Sequence, residues 1–447
     1  MNRLFGTDGV RGVAGVDLTA ALATSIARAA VAELAVGHSE HARPLVVVGR
    51  DPRVSGPWLQ AAVVDGLTSA GADVALLGVI PTPAVARAVA DGVPGLAERP
   101  AFGVVISASH NPAPDNGIKL FGPGGVKVGS DVEARIEDRL AMPDAAAAPV
   151  AAGSVRADLT GDTAWYADAL LATLSRPLDG LRVVVDCANG AASTVAQSVY
   201  SRTGATVSVI NTDLSGEHIN EDCGATHLEV LQAEVLARGV DVGIAHDGDA
   251  DRCLAVTATG EVVDGDAILA VLALDLKARG ALRGNTIATT VMSNLGLTKA
   301  MRANDIRVVT TPVGDRHVAE RMRADDLSLG GEQSGHVVLL DHATTGDGLL
   351  TALQLLAAVA ASGWSLAALI AVVKRLPQVL INVTVHDSSA ALMAVAPVIS
   401  EVETELGDDG RVLVRASGTE RLVRVMVEAP TEARAVELAE RIAAVLS

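Results

Sequence analysis

The run Asp247-Gly248-Asp249-Ala250-Asp251-Arg252 sets three carboxylates at alternate positions, directly after the buried-strand candidate Val240–Ala245. Carboxylates this close repel one another unless something positive sits among them, and an all-oxygen donor set suits a hard cation such as Mg²⁺. The register excludes an EF-hand. Counted from Asp247, the glycine required at position six is Arg252 and the glutamate required at twelve is Ala258. A solvated acidic turn or a cap is the alternative reading. Three protein carboxylates leave a coordination position for a phosphate oxygen, which the ion could polarise as a Lewis acid.

A second cluster follows the apolar run Phe102–Ile106: Ser107-Ala108-Ser109-His110-Asn111-Pro112, then Pro114, an Asn116-Gly117 turn signal, and Ile118-Lys119-Leu120-Phe121. The pattern predicts a buried strand that runs into a tight loop and returns as a hairpin. Ser109 would then expose its hydroxyl beside His110, within reach of Lys119. Such a serine can be a nucleophile or a phosphate carrier when a base, a metal or nearby positive charge activates it. The same Ser, Asn and Pro residues also simply form turns. Lys119 gains weight from scarcity, since the chain has only five lysines.

Two further clusters have the makings of ligand loops. In Gly331-Glu332-Gln333-Ser334-Gly335-His336 the flanking glycines let backbone approach a ligand, and Glu332 can accept hydrogen bonds from two adjacent sugar hydroxyls. In Arg415-Ala416-Ser417-Gly418-Thr419 a glycine-centred loop offers backbone N–H groups as an anion nest, and Arg415 can fork onto a phosphate. Polar turns and hairpins use the same residues. Together the four clusters supply a carrier, a metal site, a sugar reader and a second phosphate clamp.

The elements needed to position these loops can be read from the rest of the chain. At 447 residues, two to four domains are expected, and 49% apolar content can fill several cores. Aromatics are few, so alanine, valine and leucine must do most of the packing. A net charge of −18 disfavours nucleic-acid or anionic-membrane partners, while leaving room for one positive pocket that takes a small phosphorylated substrate. Cys187, Cys223 and Cys253 are widely spaced and read as reduced thiols. The amino-terminal MNRLFGTDG holds no apolar signal core, so a cytoplasmic location is expected. Residues 349–373 carry no charge until Lys374, but Ser362-Gly363-Trp364-Ser365 divides them into two short buried helices rather than one membrane span.

Strand candidates at Leu45–Gly49, Val74–Val79 and Phe102–Ile106 alternate with helical stretches, one of them capped by Ser55 and ending at Gly71. The alternation resumes at Leu181–Val185, Thr206–Ile210, Val240–Ala245, Thr286–Val291 and Arg307–Thr311. This implies an α/β fold with mixed, largely parallel sheets. Met142–Gly153 reads as a linker. After Lys374, strand pairs and a final helix from Thr431 to Leu446 suggest a small α+β unit. The expected domains are 1–152, 153–255, 256–373 and 374–447. The endings VVVGRD and VVVDCANG hint at repeated units.

Taken in order, SASHNP, DGDADR, GEQSGH and RASGT resemble the phosphoserine, metal, sugar and phosphate loops of the α-D-phosphohexomutase superfamily. FGTDGVRG, GEQSGH and TTGDGLLTALQLL are similar to its bacterial phosphoglucosamine mutase branch. The resemblance implies three related α/β domains and a smaller C-terminal one around a central cleft, with one loop from each. It implies interconversion of glucosamine 6-phosphate and glucosamine 1-phosphate through a 1,6-bisphosphate, for cell-wall precursor synthesis. Ser109 would carry the phosphate, aided by His110, and Asp247, Asp249 and Asp251 would hold one Mg²⁺ with it. Arg11 and Lys119 would face the transferring group, Lys119 with a part in proton transfer. Arg252, Glu332, Ser334, Arg415, Ser417, Gly418, Thr419 and Arg424 would bind substrate. A homodimer is implied too, and an activating kinase or self-phosphorylation would supply the first phosphate. The rival readings are a phosphomannomutase or phosphoglucomutase, a phosphatase, and a non-catalytic phosphosugar-binding regulator. Ala416 and Arg421 depart from the prolines common in the terminal loop, and His317 from a common tyrosine.

Overall fold

The valine-rich runs become strands because their β-branched side chains pack on both faces of sheets covered by helices. The computed structural model describes residues 4–6, 8–35, 43–142, 151–416 and 422–446, so most of the expected linker lies outside the described residues. Four separate sheets form, in chain order.

The first sheet runs in the order Val10–Val13, Asp115–Gly122, Phe102–Ile106, Leu45–Arg50, Asp73–Val79 and Val155–Asp158, with Val126–Lys127 paired to Asp115–Gly122. Its centre is parallel, and Phe102–Ile106 and Asp115–Gly122 form the expected antiparallel hairpin, with Val105 opposite Lys119. The turn is displaced from its expected place. Asn116 and Gly117 lie inside the returning strand, opposite Gly12 and Arg11, and the connection is made by residues 107–114. A Cβ at Gly117 would sit 2.5 Å from the Ser107 carbonyl oxygen, so close backbone approach explains this glycine. Ser55 does not cap the helix Gly56–Ser69 through its side chain; its Oγ accepts from Asn116 Nδ2 at 2.8 Å. Val155–Asp158, beyond residue 152, pairs with Asp73–Val79 of this sheet.

The second sheet has three parallel strands, Val242–Ala245, Arg182–Asp186 and Thr206–Ile210, extended by antiparallel Leu254–Thr257 and Val262–Val263. The third places Thr286–Thr290 between Arg307–Thr311 and Leu329–Gly331, with Val337–Leu339 antiparallel at its edge. The fourth is a three-stranded antiparallel sheet of Gln378–Thr384, Leu422–Glu428 and Arg411–Ala416, packed against Ser388–Leu406 and Glu432–Leu446.

The uncharged stretch forms two helices, Gly348–Ser362 and Leu366–Ile370. The first ends at left-handed Gly363, and Ser365 caps the second by accepting from Ala368 N. Among the described residues no helix is long and apolar enough to cross a membrane. Gly348–Ser362 instead packs on Gly265–Ala278, Val337–Leu339 and Ala164–Leu171. One continuous apolar cluster thereby reaches from Val47 and Val85 through Val185 and Ile244 to Leu353 and Leu356, joining the first three sheets. The fourth sheet has a cluster of its own around Val402, Val425 and Leu438.

Polar contacts close these junctions. Arg316, at the start of Asp315–Ala324, forks onto Glu133 of Ser130–Ala141, and both are nearly buried, at 9% and 4% exposure. Across the third and fourth sheets, Asn294 Oδ1 accepts from Leu376 N at 3.0 Å, while buried Glu428 accepts from Leu295 N at 2.9 Å and pairs with Arg411. Replacing Glu133 with Ala would leave the Arg316 guanidinium buried and unpaired. The expected cost is about 3–5 kcal/mol, read as a lower urea midpoint for the purified chain.

Candidate active site

Residues 107–114 leave the buried strand Phe102–Ile106 and carry Ser109 in a left-handed conformation, φ 54°. For a residue with a Cβ that conformation is uncommon and must be held by its surroundings. Asp51 and Arg53 hold it. Ser107 Oγ donates to Asp51 Oδ2 at 2.6 Å, and Ser109 N donates to Ser107 Oγ at 2.9 Å. Arg53, fully buried, pairs with Asp51 at 2.9 Å and donates to the carbonyls of Ser109, Asn111, Pro112 and Asp115. The Ser109 hydroxyl is therefore not exposed as the loop's polarity suggests. Ser109 is 1% exposed, and its Oγ donates to Asp247 Oδ2 at 2.6 Å.

Asp247 stands at the head of the acidic loop, which follows Val242–Ala245 of the second sheet. Buried His246 keeps this loop in shape, with Nε2 2.9 Å from Tyr200 Oη and Nδ1 3.0 Å from the Arg252 carbonyl. Asp247, Asp249 and Asp251 are buried, and one oxygen from each lies within 4.8 Å of the other two. Burial, then Asp251 and Asp249, pushes Asp247 up to about 8. Burial works most strongly against ionised Asp249, but the charge and hydrogen bond of Lys119, with a hydrogen bond from Thr82, together hold that carboxyl at about 2. The Oδ1 atoms of Asp249 and Asp251 are buried without a hydrogen-bond partner among the described residues. Orphaned oxygens on two of three convergent, mutually repelling carboxylates fit a hard divalent cation.

Lys119 projects from the first sheet into this acidic cluster. Its Nζ lies 2.7 Å from Asp249 Oδ2, 3.3 Å from Asp251 Oδ2 and 2.8 Å from Asp8 Oδ2. Burial would favour the neutral amine, but Asp249, Asp8 and Asp251 keep it an ammonium. Thr82 adds a 2.5 Å hydrogen bond to Asp249. Arg252 Nε is 3.9 Å from both Asp247 and Asp251. His110, its Nδ1 3.4 Å from Ser109 Oγ, is lowered to about 4 by burial and by Arg252 and Arg11, so it is neutral at pH 7.

These groups form one wall of a cavity of about 440 Å³, which Asp8, Arg11, His110, Asp251 and Arg252 line. Thr290, Met292, Gly314, Asp315, Glu332, Ser334 and His336 of the third sheet's loops line the other. Glu332 is oriented by Gly314 N, which donates to its Oε1 at 3.0 Å. Ser334 Oγ is buried without a partner among the described residues. Left-handed Gly335 lets this loop lie on the acidic one, because a Cβ there would meet the Cys253 carbonyl oxygen at 2.5 Å.

Three of the four expected clusters thus meet. The fourth does not join them here: Arg415 and Arg424 oppose each other on adjacent strands of the fourth sheet and do not line this cavity. Burial and the neighbouring Arg424 charge lower the Arg415 pKa. Ser417, Gly418 and Thr419 lie outside the described residues. Sequence reasoning missed Asp8, which pairs with Lys119, Lys127 and Arg11, and Lys127, which also reaches Asp315 at 2.7 Å. The lysine scarcity that drew attention to Lys119 applied equally to Lys127. Arg53 and Asp51 carried no local signal beyond their place after a strand.

Four domain families match the chain in order. They are the phosphoglucomutase/phosphomannomutase alpha/beta/alpha domains I, II and III, over residues 2–146, 164–260 and 264–376, and the C-terminal domain over residues 380–445. A phosphoglucosamine mutase from Frankia casuarinae is 58% identical, over 100% of this chain and 98% of the relative. The chain belongs to the phosphoglucosamine mutases of the phosphohexomutase superfamily. A crystal structure of a phosphoglucomutase/phosphomannomutase family protein from Burkholderia thailandensis matches with a TM-score of 0.83 and 27% identity, over 100% of this chain and 97% of that one. N-acetylphosphoglucosamine mutase of Aspergillus fumigatus, in complex with GlcNAc-6P and magnesium, shares the fold at a TM-score of 0.70 and 19% identity, over 99% and 95% of the two chains.

If the acidic loop holds the cation, Mg²⁺ at a hundred times its dissociation constant should stabilise the chain by about 2.7 kcal/mol. Asp249→Asn and Asp251→Asn should lose most of that increment in thermal unfolding, and EDTA should abolish it in the parent chain.

Proposed function

We propose that the chain interconverts glucosamine 6-phosphate and glucosamine 1-phosphate, with Ser109 as the phosphate carrier. The observation that carries this reading is the 2.6 Å contact from Ser109 Oγ to Asp247 of a buried carboxylate triad, whose neighbours His110, Asp251 and Arg252 line a hexose-sized cavity. Full-length identity to phosphoglucosamine mutases supports the sugar assignment over phosphomannomutase or phosphoglucomutase. Retention of the serine and all three aspartates supports an enzyme over a binding-only regulator.

In the forward half-reaction, phospho-Ser109 gives its phosphoryl group to the free hydroxyl of the sugar. The bond from phosphorus to Ser109 Oγ breaks, a bond to the sugar oxygen forms, and the hydroxyl proton leaves. The product is glucosamine 1,6-bisphosphate. In the second half-reaction the sugar presents its other phosphate, which returns to Ser109. The monophosphate leaves with its phosphate on the other carbon, which supports a place in UDP-N-acetylglucosamine and cell-wall precursor supply.

Each residue has a physical task. Asp247, Asp249 and Asp251 would hold Mg²⁺ together with a phosphoserine oxygen, and the bound ion supplies Lewis-acid polarisation of the transferring group. Arg11, Lys119 and Arg252 offset repulsion between two phosphates in a low-dielectric cleft, where such charges act more strongly than in water. Neutral His110 can accept the hydroxyl proton, and the Lys119 ammonium can donate one to the departing serine oxygen. Glu332 and Ser334 read sugar hydroxyls, and the open Ser334 Oγ supports a ligand partner for it. Arg415 and Arg424, with Ser417, Gly418 and Thr419, bind the phosphate that is not reacting, once the terminal domain closes over the cleft.

Ser109→Ala should lower turnover of glucosamine 6-phosphate by at least about 10³-fold, while leaving the thermal midpoint within a few degrees of the parent. In one coupled assay, glucosamine 1-phosphate should exceed glucose and mannose 1-phosphates in kcat/KM. Full activity in the serine variant would remove the carrier assignment, and a preference for mannose or glucose would remove the sugar assignment.

A further inference from the structure

The motif ending VVVDCANG has no part in the chemistry just described, yet the structure connects it to the reactive serine. Ala188 and Asn189 are both left-handed, with φ 55° and 49°, as are Asn211, Asn220 and Asp222 further on. These five are half of the ten non-glycine residues with positive φ among the described residues, so left-handed backbone is concentrated in the motif and in residues 211–222. The motif holds residues 211–222 down. Asn189 N donates to the Asn211 carbonyl at 2.7 Å and Asn220 N to the Ala188 carbonyl at 2.9 Å, while Asp186 accepts from Gly224 N at 2.9 Å. Residues 211–224 thus form a strap fastened at both ends to the second domain.

The strap lies on the first domain beside the serine loop. A Cβ at Gly216 would sit 2.0 Å from the Pro52 carbonyl oxygen, so the strap's backbone rests directly against the residues flanking Arg53. Asn220 Nδ2 donates to the Ser109 carbonyl at 2.9 Å and to the Asn111 carbonyl at 3.1 Å. Arg53 Nη2 donates to the same two carbonyls, at 3.0 and 2.7 Å. Two buried donors, one from each domain, therefore share one pair of acceptors that bracket His110.

We propose that Asn220 is a positioning residue: it completes, from the second domain, the clamp that Arg53 begins from the first, and so fixes the orientation of Ser109 Oγ toward the acidic triad. Fixing both carbonyls fixes the Ser109–His110 and Asn111–Pro112 peptide planes, and with the first of them the left-handed Ser109 backbone. Without Asn220, each carbonyl keeps one donor and the loop can relax towards an ordinary backbone conformation, rotating Oγ away from Asp247. The loop is then aligned only when the two domains are docked. This inference rests on the reading of Ser109 as the phosphate carrier.

Two full-length variants test it. Asn220→Gly keeps the left-handed backbone without strain and removes the donors; Asn220→Asp keeps shape and backbone and replaces the donors with acceptors. Both should lower kcat for glucosamine 1-phosphate on the order of 10- to 100-fold, with KM within about threefold, since the sugar loop is untouched. Both should also slow uptake of phosphate from glucose 1,6-bisphosphate onto Ser109, followed by intact mass and peptide mapping. Wild-type kcat in either variant overturns the proposal, as does a fall in kcat that only parallels a lowered thermal midpoint. If the parent chain never carries phosphate on Ser109, the carrier reading itself fails, and this inference fails with it.

Discussion

Everything at the cleft depends on keeping a buried group of carboxylates from repelling itself apart. Two unit charges about 4 Å apart interact by about 4 kcal/mol at the effective dielectric of a protein near its surface, and Asp247, Asp249, Asp251 and Asp8 are crowded at about that scale. Lys119 touches three of the four, and it comes from a different sheet from the triad. The acidic loop is thus stable in its native shape only when the first and second domains meet. The serine loop obeys the same condition, since Ser109 is a hydrogen-bond partner of Asp247. Electrostatic neutralisation, hydrogen bonding and domain docking are one event at this site.

The apolar framework reinforces that condition. A single cluster joins the first three sheets, and Gly348–Ser362 serves as its keel. The helix start is tied directly to the acidic loop, because Gly348 N donates to the Ala250 carbonyl at 3.0 Å and a Cβ at Gly348 would meet the Arg252 carbonyl oxygen at 2.1 Å. The TTGDG segment therefore matters through backbone proximity, where only glycine fits. Its Asp347 caps the same helix and takes a hydrogen bond from Tyr166 at 2.9 Å.

Much of this was legible in the sequence wherever the signal was local. Strands such as Phe102–Ile106, Thr206–Ile210 and Arg307–Thr311 are where β-branched runs predict them, and the alternate aspartates do converge as one buried triad. The failures share one cause: long-range contacts overrode local preference. Asn116-Gly117 has the strongest turn chemistry in its region, but pairing with Val10–Val13 carries the strand through it. Ser55 has the chemistry of a cap, but Asn116 claims its hydroxyl. Ser109 sits in a polar loop, which suggests exposure, but a second domain covers it. Beside their near neighbours Arg11 and Asp51, Asp8 and Arg53 take the contacts that join the site from partners more than fifty residues away, at Lys119, Lys127, Ser109 and Asn111. No window along the chain contains that information.

The junction before the last sheet gathers on one short segment: Asn294 holds Leu376, Glu428 takes the Leu295 N–H, Arg411 donates to the Ser293 carbonyl and Lys299 pairs with Asp409. The terminal module keeps an apolar interior of its own around Val402, Val425 and Leu438. Its arginine-bearing strands are therefore placed by a small polar seam at the start of Leu295–Ala303 and not by the apolar framework that unites the other three sheets.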